Sequence, residues 1–215
     1  MVLKRLNFFL FHNIIDLFFP ERCPGCERYT KPEKYCFCSD CLTQIIPAPL
    51  SNEKILSLAI YEGPVKQAIH NLKYRKIKWI AFAFAVWMND FLQKHNGIEF
   101  DLIIPVPLHP IKEFQRSFNQ SWLIAYHLGK MQRKQTEYAA IVKIKNNRSQ
   151  TELDNTKRKE NVKGVYKVKR ASLIENKNIL IIDDVYTTGA TVEEISKTLI
   201  KAGAAKTTVL TVART

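Results

Sequence analysis

The sequence of 215 residues has little of what marks disordered, repetitive or membrane-spanning chains. It holds only seven glycines and nine prolines and shows no internal repeat, which argues against disorder and low complexity. Its longest unbroken apolar run, residues 79–88, has ten residues, about half of what a spanning helix needs. We therefore expect this run to form a buried helix, in a chain long enough for a sizeable core.

We also expect no cleavable secretory leader. The apolar stretch at residues 8–19 is interrupted by His12, Asn13 and Asp16, and no small-residue cleavage site precedes Cys23. We expect residues 1–20 to form an amphipathic helix packed on the body of a cytoplasmic protein without a transmembrane segment. Peripheral attachment to a membrane is the alternative.

Cysteine is absent after residue 41, and the five cysteines are confined to one short segment. Two C-x-x-C pairs, Cys23 with Cys26 and Cys38 with Cys41, can each offer two thiolates to one tetrahedral ion. Two disulfides or unligated thiols are the alternatives, and the odd count disfavours the disulfides. We predict a structural zinc knuckle over residues 21–50, with Cys36 as the spare, although Cys36 and Cys38 could exchange roles.

The segment that follows residue 178 reads as strand, loop and helix. Residues 178–182, a short apolar run rich in Ile, predict a buried parallel strand that ends at two aspartates, and apolar positions at helical spacing begin at Val192. A helix start offers free N–H groups to a phosphate, and Gly189 permits close approach of the backbone. Paired carboxylates suit the vicinal hydroxyls of a ribose. The predicted phosphoribosyl-binding residues are Asp183, Asp184, Val185, Tyr186, Thr187, Thr188, Gly189, Ala190 and Thr191.

At these residues the chain resembles the type I phosphoribosyltransferases, whose signature is an apolar strand, two acidic residues and a Thr/Ser-Gly-x-Thr loop that binds phosphoribosyl pyrophosphate (PRPP). The resemblance implies an α/β fold over residues 51–215, with a central, mostly parallel sheet flanked by helices. It also implies Mg²⁺ bound with PRPP and loss of pyrophosphate at the anomeric carbon. The plain alternative is that the aspartates cap a strand and the threonines open a helix.

A second loop is predicted at the same edge of the sheet. Residues 101–106 read as a buried strand, and the prolines after it are expected to forbid helix until about Phe118. Ligands of open α/β sheets bind at the carboxyl ends of the strands. In related transferases this loop grips the pyrophosphate, so His109, Lys112 and Arg116 are candidates, although His109 fits a plain loop residue equally well.

Residues 146–163 form a polar stretch between two apolar-containing segments. A loop of this length inside a compact domain is usually functional or disordered. In the transferases a similar loop closes over PRPP, which makes Arg148 and Arg158 candidates for contact with the pyrophosphate. A solvated basic hairpin is the alternative.

Further motifs are the paired cysteines, residues 61–64, 69–75, 105–110, 116–120 and 148–161, and the ending 211–214. Together they resemble the ComF family over nearly the whole chain from Phe18. Members are associated with natural competence, the uptake of external DNA, and the resemblance adds Lys73 as a candidate site residue. The family usually has glycine where Ser117 stands, and a positive φ there would strain serine by about 1 to 3 kcal/mol.

The net charge of +13 arises from 33 basic and 20 acidic residues. Much of it lies at residues 66–78 and 143–170, which is typical of a solvated face or of contact with nucleic acid. Two functions therefore stay open. One is a PRPP-dependent transferase with an unidentified acceptor; the other is a non-catalytic, zinc-stabilised, PRPP-responsive protein acting through single-stranded DNA or a competence helicase.

Overall fold

The computed structural model describes residues 22–29, 34–50, 53–95, 97–145 and 164–215. The predicted helix at residues 1–20, with its alternative of membrane attachment, lies outside these ranges. So does the loop at residues 146–163, which holds Arg148 and Arg158. Within the described ranges, none of the helices combines the length and apolarity needed to cross a membrane.

The centre of the fold is a sheet of five strands in the order β1-β7-β6-β2-β3. Each neighbouring pair of strands runs parallel, which confirms the predicted α/β class with a parallel sheet. Two further strands, β4 and β5, pair antiparallel as a separate hairpin. The strands are β1 (Ile55–Ile60), β2 (Leu102–Pro105), β3 (Gln135–Thr136), β4 (Ile141–Lys143), β5 (Tyr166–Val168), β6 (Asn178–Tyr186) and β7 (Lys206–Arg214).

Helices cover both faces of this sheet. Three of them, α2, α3 and α5, share one apolar core with Leu180 and Ile182 of β6. The opposite face of β6, with Ile179 and Ile181, packs against α6 and the β4–β5 hairpin. The alternation follows from the period of two in a strand. The helices are α1 (Ser39–Leu42), α2 (Gly63–Tyr74), α3 (Ile80–Lys94), α4 (Pro110–Arg116), α5 (Gln120–Gln132) and α6 (Ala190–Lys201).

The predicted strand before the two aspartates exists, but it is longer than expected. β6 continues through Asp183 and Asp184 to Tyr186, which pairs with Arg214 of β7. The backbone N–H of Thr215 also donates to the Tyr186 carbonyl at 3.1 Å. Pairing with the neighbouring strand, which local sequence does not report, extends the strand past its apolar run.

The expectation that prolines forbid helix until about Phe118 is wrong. Helix α4 begins at Pro110 itself, because the missing N–H of proline costs nothing in the first turn. The ring Nδ1 of His109 accepts a hydrogen bond from the Ile111 N–H at 3.3 Å and so caps this helix. Ser117 then ends the helix with φ +67°, the left-handed conformation that favours glycine.

The knuckle packs against the same core as α2 and α3. Phe37 is fully buried there, and the ring of Tyr35 stacks on Trp87 of α3 with centroids 5.1 Å apart. The Tyr35 hydroxyl also donates a hydrogen bond to Asp90. Although small, the knuckle is thus joined to the main sheet domain through shared apolar side chains.

Candidate functional site

The loop between β6 and α6 makes a tight approach to the sheet edge. Gly189 has φ +79°, and a Cβ at this position would lie 2.5 Å from the Tyr186 Oη. Helix α6 starts at the next residue, and its N-cap, Gly189, has no side chain to cap the first N–H groups. An uncapped helix start carries free donors and a partial positive charge. The loop therefore presents free hydrogen-bond donors and a partial positive charge at the edge of the sheet.

A small cavity of about 40 Å³ opens at this loop. A water molecule needs at least about 10 to 15 Å³ of such volume, so the cavity has room for a group of a few heavy atoms. Six of the nine residues predicted from the sequence line it. The lining residues are Asp183, Val185, Tyr186, Thr187, Gly189, Thr191 and Val192.

The two aspartates lie on opposite faces of β6, as neighbours in a strand must. Asp183 lines the cavity, and its Oδ1 accepts hydrogen bonds from the Ser121 hydroxyl at 2.8 Å and from the Asp184 N–H at 2.9 Å. The Asp184 carboxylate instead forms an ion pair with Lys73 of α2, and their side chains are only 5% and 16% exposed. The two carboxylates therefore have different main partners, Ser121 for Asp183 and Lys73 for Asp184.

Burial and mutual repulsion give the two carboxyl groups different proton affinities. Burial, followed by the charge of Asp184, raises the pKa of Asp183 to about 7. Burial acts in the same direction on Asp184, but the charge and hydrogen bond of Lys73 outweigh it and lower the pKa of Asp184. Likewise, burial opposes the charge of Lys73, while Asp184 raises the Lys73 pKa. Asp184 thus stays ionised, and Asp183 is the group of the pair that can carry a proton.

The second predicted loop reaches the same edge of the sheet. Arg116 donates from Nη1 to the Gln120 Oε1 at 3.2 Å, and its guanidinium lies 5.5 Å from the ring centre of Tyr74. Asn119 caps α5 by accepting from two backbone N–H groups, and its Nδ2 donates to the Val106 carbonyl at 3.0 Å. These bonds tie the loop after β2 to the start of α5, where Ser121 contacts Asp183.

The β4–β5 hairpin adds two side chains that the sequence did not single out, Lys143 and Tyr166, which are paired across its strands. Burial lowers the pKa of Lys143, the charge of Lys112 lowers it further, and Asp183 opposes both. Burial and the Asp183 charge raise the pKa of Tyr166, whose hydroxyl contacts Thr191. Burial and Arg116 similarly lower the pKa of Lys112. Cations thus crowd around Asp183.

Ser121 was missed although a local signal existed. It stands in the first turn of a helix whose cap, Asn119, is readable from the sequence. Lys143 and Tyr166 flank the polar stretch at residues 146–163, but only the docking of the hairpin beside α6 brings Tyr166 to Thr191 and Lys143 near Asp183. Lys73, proposed from family resemblance alone, makes a direct contact with Asp184.

The four predicted cysteine ligands come together at the amino-terminal knuckle. Their sulfur atoms all lie within 4.8 Å of one another, and the Sγ atoms of Cys26 and Cys38 are 3.7 Å apart. A tetrahedral zinc ion with Zn–S bonds of about 2.3 Å needs sulfur atoms about 3.8 Å apart. The residues therefore fit a zinc ion, and four thiolates leave no open position for a substrate. Cys36 stands outside this group.

Thiol chemistry at the knuckle agrees with metal binding. All five cysteines are free rather than joined in disulfides. Burial raises the pKa of Cys26, but hydrogen bonds from Arg28 outweigh it and lower the pKa to about 6. The Arg28 Nε lies 3.4 Å from the Cys26 Sγ and stabilises a thiolate there.

Comparison with known proteins gives relatives along most of the chain, although no family model matches it. The chain is 30% identical over 197 residues to DNA utilization protein YhgH of Escherichia coli O157:H7, covering 90% of this chain and 84% of the relative. It is 28% identical to competence protein F of Haemophilus influenzae, with coverage of 84% and 85%. It is also 28% identical to competence protein ComFC of Bacillus subtilis, with coverage of 85% and 73%.

Solved structures similar to this chain include two proteins whose names refer to phosphoribosyl compounds. One is the adenine phosphoribosyltransferase of Thermoanaerobacter pseudethanolicus, at 16% identity and a TM-score of 0.41, covering 82% of this chain and 98% of that one. The other is the glutamine PRPP amidotransferase of B. subtilis, at 19% identity and a TM-score of 0.41. That match covers 61% of this chain and only 26% of the amidotransferase. The likeness is one of fold alone.

Proposed function

The chain belongs to the ComF family of competence proteins, and we propose that it binds PRPP with Mg²⁺ at the β6–α6 loop in support of DNA uptake. The observation that carries the proposal is the cavity at Asp183, Thr187 and Gly189, where an uncapped helix start faces a carboxylate. We also propose that the knuckle holds structural zinc, in a cytoplasm that keeps its thiols reduced.

The phosphate half of the ligand suits the loop. The first N–H groups of α6 and the hydroxyls of Thr187, Thr188 and Thr191 are donors, as a phosphate requires. Gly189 lets the backbone come close, since any side chain there would strike Tyr186. In the proposal this cradle takes the 5′-phosphate, with Val185, Tyr186 and Ala190 shaping its walls.

The ribose half suits Asp183. Among the described residues, both hydrogen bonds to this carboxylate use Oδ1, which leaves Oδ2 for a ribose hydroxyl. Asp184 contributes through Lys73: their ion pair keeps a negative charge beside Asp183 and holds a lysine at the rim. In this account Asp183 binds the sugar directly, and Asp184 positions the groups around it.

The pyrophosphate half suits the surrounding cations. The rim of the site carries four cations: Lys73, Lys112, Arg116 and Lys143. They lie close enough together that Arg116 lowers the pKa of Lys112, and Lys112 lowers the pKa of Lys143. Such crowding is relieved by a polyanion. His109 is already used in part as a helix cap, and Arg148 and Arg158 remain predictions outside the described residues.

A carboxylate of the site, together with the phosphate oxygens of PRPP, also suits Mg²⁺, which takes such oxygen ligands in proteins. When bound, Mg²⁺ neutralises pyrophosphate as it leaves. In the transfer step, a lone pair of the acceptor forms a bond to the anomeric carbon while the bond to the pyrophosphate oxygen breaks. This chain's residues would hold the ribose at Asp183 and the departing anion at the rim, and the hairpin carrying Tyr166 would exclude water.

A second candidate function is binding of single-stranded nucleic acid without turnover. A separate groove of about 530 Å³ runs beside β3 and α5, with Trp122 and Tyr126 on its wall and the cations Lys130, Arg133 and Lys134 on its rim. Aromatic faces beside a positive groove are the usual means of holding single strands. In this case PRPP would be a bound signal, and a competence helicase the partner.

Two assays separate the candidates. Release of pyrophosphate from Mg²⁺-PRPP with an acceptor would support the transferase, and its absence with single-stranded DNA, nucleobases and amines would favour the binder. For the groove, affinity for single-stranded DNA should fall steeply between 50 and 200 mM salt, as counterion release requires. Replacing Lys130 and Lys134 by alanine should flatten that response. If the wild type and the double alanine variant bind single-stranded DNA equally and independently of salt, the groove is not the binding site.

A further inference from the structure

One helix, α2, contacts both the four-cysteine knuckle and the site at β6. Its amino-terminal turn packs under the knuckle, and its last turn carries Lys73, the partner of Asp184. A displacement of the knuckle can therefore reach the cavity through a single rigid element.

The first contact between the knuckle and α2 has no spare room. Gly25 stands in the first C-x-x-C turn, and a Cβ built there would lie 2.8 Å from the Cβ of Pro64, a buried residue in the first turn of α2. The same position is 3.2 Å from the Cys41 Sγ. The turn, the cysteine cluster and the helix are thus packed at contact distance, so a change in one displaces another.

The second contact is a hydrogen bond made by Asn71. This side chain is fully buried, and its Nδ2 donates to the carbonyl of Pro24 at 3.1 Å while its Oδ1 accepts from the Gln67 Nε2 at 3.1 Å. Pro24 lies between the first two cysteines. A buried amide that loses its partner is strongly disfavoured, so α2 and this turn hold each other in place. An ion pair between Glu27 and Arg75 adds a link at the surface.

The same end of α2 contacts the site on its other side. Lys73, two residues after Asn71, forms the ion pair with Asp184. Lys76 donates from Nζ to the Ser117 Oγ at 3.1 Å, in the loop that follows α4. Residues 71–76 therefore touch the knuckle, β6 and the second loop of the site within about two helical turns.

We propose that the knuckle positions Lys73 through Asn71, so that metal binding at the cysteines and PRPP binding at the cavity are thermodynamically coupled. The ligand half of this inference rests on the proposed function. A cysteine turn without its metal loses the bonds that fold it, and the Pro24 carbonyl is then no longer held for Asn71. Coupling between two sites is reciprocal and is typically about 5- to 150-fold in affinity.

The link itself can be tested without PRPP, by amide hydrogen exchange on the full chain, zinc-loaded and chelator-stripped. We expect stripping to speed exchange at residues 72–77 about tenfold, while residues 179–182 of β6 stay protected and show that the sheet is still folded. Unchanged exchange at residues 72–77 would overturn the inference. If stripping also unprotects β6, the zinc-loaded variants below decide instead.

The coupling is tested by titrating Mg²⁺-PRPP into zinc-loaded variants of equal metal content. Asn71→Ala should raise the Kd about tenfold, within the usual range of coupling. Gln132→Ala is the matched control, because it removes a 2.8 Å side-chain hydrogen bond to Asn89 away from the knuckle, and it should leave the Kd unchanged. Glu27→Gln, a surface change that spares the core, should produce a smaller rise in the Kd and serves if Asn71→Ala does not fold.

The reciprocal titration completes the test: PRPP should strengthen zinc binding against a chelator in the wild-type chain by the factor that stripping costs in PRPP affinity. Equal PRPP affinity in the wild type, Asn71→Ala and Glu27→Gln would contradict the coupling. Failure of the zinc-loaded wild type to bind PRPP would overturn the proposed function and the ligand half of the inference. The exchange result would still decide whether the knuckle holds Lys73.

Discussion

Lys73 of α2 and Asp184 of β6 form an ion pair with both side chains largely buried. Because α2 packs on the knuckle and β6 leads into the cavity loop, this pair links the cysteine knuckle to the cavity. Burial disfavours the charged form of both side chains, and the opposite charge of its partner keeps each side chain ionised.

Removing one partner of this pair should destabilise the fold. Lys73→Met leaves the Asp184 carboxylate buried without its cation, and such a loss costs about 3 to 5 kcal/mol of the free energy of unfolding. The double variant Lys73→Met with Asp184→Leu should lose less than the sum of the two single changes, since no charge is then left alone. Urea unfolding of all four proteins measures this, and strictly additive losses would contradict the pairing.

Gly189→Ala should damage both the fold and the site. The φ of +79° and the 2.5 Å approach to the Tyr186 hydroxyl leave no place for a methyl group, so we expect a loss of about 1 to 3 kcal/mol. Gly97→Ala is the control, because nothing lies within 4 Å of a Cβ there. Thermal unfolding of both variants is the measurement. Equal melting temperatures would show that the loop is not constrained as described.

The pH dependence of stability should report Asp183. Its pKa is raised to about 7, above the value of about 3.9 for an unfolded aspartate, so its stabilising contribution is complete below pH 4. That contribution is lost as the pH rises through 7. Relative to Asp183→Asn, the wild-type free energy of unfolding should therefore fall between about pH 4 and pH 7, by about 1 kcal/mol after allowing for partial exposure. Parallel curves for the two proteins would refute the assignment.

Metal content should distinguish the cysteines. The sulfur of Cys36 stands outside the cluster of four, so Cys36→Ser should retain one zinc per chain. Cys38→Ser should lose it, together with a large part of the folding free energy, which for zinc in comparable peptides is about 10 to 16 kcal/mol. Plasma emission analysis of the purified variants measures this. Retention of zinc in Cys38→Ser with loss in Cys36→Ser would exchange their roles.

Local signals explain what the sequence predicted correctly. The apolar run before Asp183, the glycine loop and the helical spacing after Val192 are all read within one segment, and β6 and α6 follow them. The spacing of each C-x-x-C pair likewise brings its two cysteines together locally, and the four sulfur atoms are clustered. The error at Pro110 was also local, since a proline that ends one helix can begin another.

Contacts between distant segments explain what the sequence did not show. The different partners of Asp183 and Asp184 depend on how α5 and α2 meet the end of β6, and the hydrogen bond from Asn71 to Pro24 depends on how the knuckle docks. Tyr166 contacts Thr191, and Lys143 lies near Asp183, only because the β4–β5 hairpin packs beside α6. Periodicity assigns residues to elements but does not say which elements meet.

Calorimetric titration of Mg²⁺-PRPP into the zinc-loaded chain tests the central claim most directly. We expect one saturable site per chain in the wild type and in Gly97→Ala, and at least tenfold weaker binding in Asp183→Asn, whose fold is checked by its unfolding transition. Absence of saturable binding to the folded wild type at millimolar PRPP, or equal affinity in Asp183→Asn, would contradict a PRPP site at the β6–α6 loop.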